Sequence, residues 1–346
     1  MTAVDRAVAG RSVRDTLAAC RTAIGPALLA AVATLPAPVR RITGYHFGWW
    51  DELGNPTGTE GGKALRPAVV LLAAEAVGGT QADAVAAAVA VELVHNFSLL
   101  HDDVMDGDRV RHHRATAWSV FGTSAAILAG DALLTLALDV LAASPHPSAQ
   151  RGIRMLAAAV HDLVDGQYTD LEYEHRQDVG MAECEAMAAH KTGALLGCAG
   201  GIGALFGGGR PAQVARLHAF GTHFGLAFQH VDDLLGIWGD PAMTGKPIHS
   251  DLQRRKKTLP VVAALASGTP AARELAARYR SGPALDDAEL ARVAELVELA
   301  GGRSFSRGQA DRHINQALRE LAAAEPAERA AAELGALARL ATRRDH

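Results

Sequence analysis

Residues 81–106 read QADAVAAAVAVELVHNFSLLHDDVMD. Apolar residues, alanine above all, fill most of the stretch, and Leu93, Phe97, Leu100 and Val104 recur at three- and four-residue spacing, the period of one helical face. The run ends in Asp102, Asp103 and Asp106. Carboxylates do not stay ionised against apolar packing unless a cation holds them, so this helix is read as one that carries chemistry at its end.

The same pattern repeats outward in both directions. Helices are predicted over Val13–Thr34, Leu65–Val77, Gln81–Asp106, Thr116–Ala143, Ser148–Tyr173, Met181–Leu205 and Ala212–Leu235. Shorter ones follow over Leu259–Ala266, Pro270–Tyr279, Asp286–Leu299 and from Gly302 onward. Gly25-Pro26 marks a kink or split in the first. Breaks fall at Gly54-Asn55-Pro56-Thr57-Gly58, Gly78-Gly79, Pro145-His146-Pro147, Gly207 to Pro211 and Gly239-Asp240-Pro241. β-branched and aromatic residues are sparse, so the fold class is all-α. No break reads as an interdomain linker and no fixed repeat period is present.

With 346 residues and 49% apolar composition, a sizeable core is available. The formal charge of −4 and the scattered arginines leave no basic footprint for nucleic acid. Cys20, Cys184 and Cys198 have no zinc or disulfide spacing, which fits a reducing, cytoplasmic location. The N-terminus has Asp5 and no apolar core of a signal peptide. Asp131 and Asp139 interrupt the run from Trp118 to Leu141, and the charge-free run from Thr192 to Gly209 is short of the ~20 residues a span needs. No membrane span is expected.

On a helix Asp102 and Asp106 lie one turn apart with Asp103 beside them. A second pair, Asp232-Asp233, follows the apolar run from Phe224 to Val231, with Gly236 where a repeat of the first cluster would place an acid. Magnesium binds through one or two carboxylates plus substrate phosphates, which two short acidic clusters suit. Basic groups accompany them: Lys63 and Arg66 open a helix whose N–H groups favour phosphate. Arg111 and Arg114 trail the first cluster, Lys191-Thr192 lies mid-chain, and Lys246, Lys256 and Lys257 trail the second. Singly each acid or base is a plain surface charge; two acidic clusters trailed by basic groups are not.

These residues resemble the trans-type prenyl diphosphate synthases, or polyprenyl synthetases. The resemblance runs from about Gly61 to Pro260. It includes Gly61 to Pro67, His95, the DDxxD cluster with Arg111, Gly130-Asp131, Gly166-Gln167 with Asp170, and Lys191-Thr192. It continues through Phe228-Gln229 before Asp232-Asp233, Gly239-Asp240, Gly245-Lys246-Pro247 and Lys256-Lys257-Thr258-Leu259-Pro260. The resemblance implies an isoprenoid-synthase helical bundle around a central cavity, usually a homodimer with three magnesium ions. It would place a synthase domain over 60–346, preceded by an N-terminal helical extension over 1–59.

Carried over by position, Lys63, Arg66 and His95 would hold the diphosphate of isopentenyl diphosphate. Asp102, Asp106 and Asp232 would ligate magnesium, supported by Asp103 and Asp233. Arg111, Lys191, Thr192, Gln229, Lys246 and Lys256 would line the allylic diphosphate site. The two clusters, with Lys191, would then draw diphosphate from the allylic substrate, the isopentenyl double bond would attack the resulting carbocation, and a proton would be lost to the departing diphosphate.

Two departures stand out. His112 replaces the second of the family's paired arginines, making that substrate contact weaker or pH-dependent, with His113 or Arg114 as compensators. Gly236 removes the last acid of the second cluster. Phe97 at the fifth position before the first cluster and Ser98 at the fourth resemble a twenty-carbon pattern, implying geranylgeranyl diphosphate, with farnesyl diphosphate next. The plain alternative for Phe97 is a core aromatic.

Three other readings compete. A terpene cyclase shares DDxxD but normally has an Asn/Ser/Glu second site, absent around Asp232. The His101-Asp102 pair of a phosphohydrolase would leave the lysines unused. A noncatalytic subunit would show decay at His112 and Gly236. Adjacent Trp49 and Trp50 read as packing.

Overall fold

The computed structural model describes residues 11–58, 62, 64–111, 113–241, 247–279 and 285–341. It is helical almost throughout, as the period of the apolar residues requires. The first half carries α1 (Val13–Ala33), α2 (Ala37–His46), α3 (Leu65–Ala76), α4 (Gln81–Met105), α5 (Ala117–Phe121), α6 (Thr123–Ala142) and α7 (Ala149–His175). Between α4 and α5 a two-stranded antiparallel hairpin pairs β1 (Val110–Arg111) with β2 (Arg114–Ala115). Then come α8 (Met181–Ala188), a π-helical turn (Ala189–Gly193), α9 (Ala194–Phe206), α10 (Pro211–Trp238), α11 (Ser250–Gln253), α12 (Leu259–Ala266), α13 (Pro270–Tyr279), α14 (Asp287–Leu299), α15 (Gly302–Ala323) and α16 (Glu328–Ala341).

Several boundaries have local causes. Thr80 caps α4 by accepting from the Asp83 N–H while the Asp83 carboxylate accepts from the Thr80 N–H, a capping box. The stretch expected as one helix over Thr116–Ala143 breaks at Gly122, whose φ of 89° no helix permits. Pro26 lies inside α1, which runs through it unsplit.

The chain forms two compact units. The first comprises Met1–Val160, Leu195–Gly221 and Arg319–Leu337; the second comprises His161–Ala194, Thr222–Leu318 and Ala338–His346.

In the first unit α4 packs on α3 and α6, burying Leu71, Leu72, Leu93, Leu100, Leu133 and Leu141 completely. The glycines of the 192–209 run serve helix contact. A Cβ on Gly203 would stand 2.2 Å from the Val70 carbonyl oxygen, and one on Gly200 2.1 Å from that of Leu217. The backbones of α9, α3 and α10 thus meet with no side chain between them. The aromatic segment before the hairpin is packing: the Trp50 ring lies against Gly44 and its indole N–H donates to the Arg41 carbonyl at 2.8 Å. Arg114 donates to the Tyr45 and Trp50 carbonyls and stacks on the Tyr45 ring, so it anchors this segment.

Three helices, Val13–Ala33, Gln81–Met105 and Thr123–Ala142, are long and apolar enough to cross a membrane by length and composition. Asp131 and Asp139 therefore do not take α6 out of that range. The apolar window of Gln81–Met105 is 72% buried inside the protein, and its length serves the core.

In the second unit Leu252, Val261, Leu275, Val293 and Val297 form a core between α11, α12, α13 and α14. Elsewhere in this unit His230 of α10 is fully buried, and among the described residues neither ring nitrogen has a hydrogen-bond partner. It stacks near His313 of α15, whose Nδ1 lies 3.1 Å from Nδ1 of His223. Burial first, then the neighbouring His313 and Arg312, push His230 down to about 3; burial, His223 and Arg312 push His313 down to about 4.

Unfolding in acid lets both imidazoles take up protons that the folded state refuses. Their contribution to stability is present above about pH 6.5 and lost as pH falls toward these values. The urea midpoint is expected to fall between pH 7 and pH 5, and His230→Leu to flatten that dependence; an unchanged slope would refute the assignment.

Candidate functional site

The first acidic cluster sits at the end of α4. Asp102 and Asp103 occupy its last turn, Asp106 is the residue that caps its C-terminus, and no basic residue is present in that turn. The helix dipole places partial negative charge at the same point. Three carboxylates against a negative helix end make a strongly cation-seeking position. Asp102 and Asp106 are partly exposed and one turn apart, while Asp103 is 2% exposed. Arg111 Nε donates to Asp103 Oδ1 at 2.7 Å. Burial raises the Asp103 carboxyl to about 6, with Arg111 pulling the other way. Asp103 is thus tied into the hairpin, leaving Asp102 and Asp106 as the accessible acids.

On α3 and α4 of the same unit Arg66 Nη1 lies 3.1 Å from His95 Nε2. A guanidinium has no acceptor, so His95 accepts on Nε2 and carries its proton on Nδ1. Glu92 is buried one turn before; burial raises its pKa, opposed by Arg66. Ala64, at the start of α3, holds φ of 52° without being glycine, a strained geometry that points to a constrained loop. Phe97 is 6% exposed and meets the His101 ring edge-on at 4.9 Å. His101 is itself fixed, donating from Nε2 to the Ile127 carbonyl at 3.0 Å over Gly130, where a Cβ would collide with its ring. The Ser98 hydroxyl donates to the His95 carbonyl.

A separate polar cluster lies wholly in the second unit. Lys191 projects from the π-helical turn, whose backbone passes Gly166 so closely that a Cβ there would be 2.3 Å from the Lys191 nitrogen. Lys191 Nζ is 2.5 Å from Asp170 Oδ2, and Lys256 Nζ is 4.0 Å from the same oxygen. Next to this cationic pair runs a relay. Thr192 Oγ1 donates to Gln229 Oε1 at 2.5 Å, Gln229 Nε2 to Asp233 Oδ1 at 2.6 Å, and the Leu259 N–H to Asp233 Oδ2 at 2.8 Å. Asp233 therefore caps α12, whose own cap residue Thr258 makes no side-chain bond. Burial and the Asp251 charge push Asp233 up to about 8, with Leu259 and Gln229 opposing. Asp232, one residue earlier, is exposed. The Lys256 backbone is pinned by Tyr279, whose hydroxyl donates to its carbonyl at 2.8 Å.

Lys63, His112 and Lys246 lie outside the described residues. Arg114, one compensator expected for His112, is spent on the Tyr45–Trp50 segment. Two residues carried no assigned role in the sequence reading. Asp170 organises both lysines. Gln167, 6% exposed on the same face of α7, has neither amide atom hydrogen-bonded among the described residues, and such an orphan marks a place for a bound group. Left-handed non-glycine residues also sit beside the named ones: His113 after Arg111, His249 before Asp251 and Arg255 before Lys256.

Among the described residues no three His, Cys, Asp or Glu side chains converge to hold a metal alone. Exposed carboxylates with lysines nearby instead suit magnesium shared with a phosphate ligand.

A helical protein with acids at the end of α4 and on α10, and two lysines grouped at Asp170, has the makings of one that handles a diphosphate with a divalent cation. The chain belongs to the polyprenyl synthetase family, whose model matches residues 49–297, and is a trans-prenyl diphosphate synthase. A (2E,6E)-farnesyl diphosphate synthase of Mycobacterium tuberculosis is 47% identical over 91% of this chain and 89% of its own length. A geranylgeranyl diphosphate synthase of the same organism is 45% identical over 94% and 92%. The crystal structure of a polyprenyl synthetase from Streptomyces coelicolor superposes with a TM-score of 0.90 at 47% identity, covering 95% of this chain and 99% of that one. A polyprenyl synthase from Caulobacter crescentus, complexed with calcium and isoprenyl diphosphate, superposes with a TM-score of 0.81 at 26% identity, covering 97% and 99%.

Proposed function

We propose that this synthase condenses isopentenyl diphosphate with an allylic diphosphate to make geranylgeranyl diphosphate, using three magnesium ions. The observation that carries the reading is the gathering of carboxylates at the negative end of α4, where only a cation stabilises their ionised state. The family depends on magnesium, and the Caulobacter relative holds a divalent cation with isoprenyl diphosphate.

Asp102, Asp106 and Asp232 would hold the ions, whose chemistry when bound would be Lewis-acid stabilisation of the diphosphate charge. Lys191, Thr192, Gln229, Lys246, Lys256 and Arg111 bind that diphosphate, and Lys63, Arg66, His95 and His112 bind the isopentenyl one. Asp103 and Asp233 position these groups through Arg111 and Gln229. Charge stabilisation of the leaving group lowers the barrier; no covalent nucleophile is needed. The enzyme acts in the cytoplasm as a homodimer, a state supported by Ile127 and Leu128, 39% and 62% exposed on α6.

Product length is the finer part of the proposal, because the farnesyl and geranylgeranyl relatives are almost equally similar. Phe97 beside Ser98 supports twenty carbons: its ring is held by an immobile His101 and suits a tunnel floor. Purified protein is incubated with magnesium, isopentenyl diphosphate and each allylic primer, and the products are separated by chromatography. Geranylgeranyl diphosphate is expected; a cyclic hydrocarbon would mean a cyclase, and no turnover without a second protein a modulatory subunit. Phe97→Ala is expected to lengthen the product by at least one five-carbon unit, and an unchanged distribution would remove Phe97 from the tunnel.

A further inference from the structure

Glu92 is an acid set among buried apolar neighbours. It lies on α4 between Val91 and Leu93, neither of which has exposed surface, and is itself 8% exposed. A carboxyl is costly in such a place unless a partner offsets the burial. Asn96, one turn on, supplies part of the offset: its Nδ2 donates to the Glu92 carbonyl at 2.8 Å and reaches Oε1 at 3.4 Å. The rest points to α3. Glu92 shares the wall of a cavity of about 320 Å³ with Gly62 and Ala64, the residues that lead into that helix. Ala64 is the α3 cap, holds φ of 52° and makes no side-chain cap bond, so the carboxyl stands beside a helix N-terminus with partial positive charge. Arg21 of α1 lines the same cavity, yet the cation whose charge acts on Glu92 is Arg66. Arg66 in turn donates to His95, one turn beyond Glu92 on α4, at 3.1 Å. Glu92, Arg66 and His95 thus form a set of carboxyl, guanidinium and imidazole across α3 and α4.

We propose that Glu92 is a positioning residue for isopentenyl diphosphate: its carboxyl holds the Arg66 guanidinium and the start of α3 in the arrangement that binds the diphosphate. The inference rests on the isopentenyl diphosphate role proposed above for Arg66 and His95. A guanidinium offers five N–H donors in a fixed fork, so Arg66 can keep one edge for its own protein and turn the other to an anion. Arginine has many rotamers, and fixing it before the substrate arrives removes that ordering cost from binding. Glu92 touches neither substrate nor metal. Its effect therefore falls on the affinity for isopentenyl diphosphate and leaves the chemical step alone.

The test uses full-length variants with Mg2+, varying isopentenyl diphosphate at saturating geranyl diphosphate and then the reverse. Glu92→Gln keeps the shape of the side chain, and its circular dichroism spectrum is expected to match the wild type. Its KM for isopentenyl diphosphate is expected to rise about 10-fold, the cost of ordering one long side chain on binding, with kcat and the KM for geranyl diphosphate changed by less than about 2-fold. Glu92→Asp retains the charge and is expected to fall between Glu92→Gln and the wild type. Arg66→Ala is expected to raise the same KM, and adding Glu92→Gln to it to change that KM by less than about 2-fold, because the carboxyl acts through Arg66. Wild-type KM in Glu92→Gln, an equal rise for both substrates, or the full rise persisting on the Arg66→Ala background would overturn the proposal. An Arg66→Ala variant with wild-type KM would refute the diphosphate role of Arg66 itself, whereas a rise in Arg66→Ala without one in Glu92→Gln would refute only the role of Glu92.

Discussion

Asp232→Ala is expected to lower kcat/KM by about 10²- to 10³-fold with little change in melting temperature. The size follows from removing charge stabilisation aimed at a leaving group, for which loss of a single group costs about 2.7–4 kcal/mol. The intact fold follows from position, since Asp232 is exposed. Its neighbour separates the two effects. Asp233 is buried, holds Gln229 and caps α12, so Asp233→Ala strips a buried cap as well and is expected to melt earlier. Steady-state kinetics paired with thermal unfolding checks both, and near-wild-type turnover in Asp232→Ala would end the assignment of the second cluster.

Gly203→Ala is expected to destabilise the protein by about 3 kcal/mol, at the upper end for overpacking, lowering the melting temperature of a chain of this length by about 4 °C. The obstacle is backbone. The added methyl would stand 2.2 Å from the Val70 carbonyl oxygen and 2.9 Å from both its carbon and the Ala73 Cβ, so no rotamer change makes room and α9 must part from α3. Thermal unfolding of the variant reads this directly; a melting temperature within 2 °C of wild type would show that the helices slide freely.

The helices were legible because alanine and leucine at three- and four-residue spacing leave little choice, and most ends fall within a few residues of their predicted places. The exceptions have physical causes. α2 (Ala37–His46) is not among the predicted helices; it begins at Pro36 and Pro38, and prolines at a helix start leave no intrahelical donor unsatisfied. The π-helical turn inside the predicted Met181–Leu205 helix changes no residue type, so composition carries no trace of it. The hairpin between α4 and α5 is two residues per strand, below any periodic signal.

Site residues were legible where the chemistry sits on one segment, as with Asp102 and Asp106 or Lys191-Thr192. They were hidden where tertiary contact makes the pair. Asp251 meets Gly236 across fifteen positions of sequence, and the fold puts its carboxylate where a side chain at 236 would begin. Ala64, His113, His249 and Arg255 take left-handed backbone without the glycine that would announce it.

The π-helical turn at Ala189–Gly193 also sets how this protein can change. A wide turn of this kind is one residue more than a regular helix needs. Deleting one residue within it would produce a more regular helix and better local hydrogen bonding. It would also remove the local widening that presents Lys191 to Asp170 and Thr192 to Gln229. The reading frame of this helix is thus locked by two partners on different elements, α7 and α10, and a length change here alters function before it alters stability. Insertions and deletions among natural variants should accordingly avoid this stretch, even though its alanines and glycines tolerate many substitutions by size.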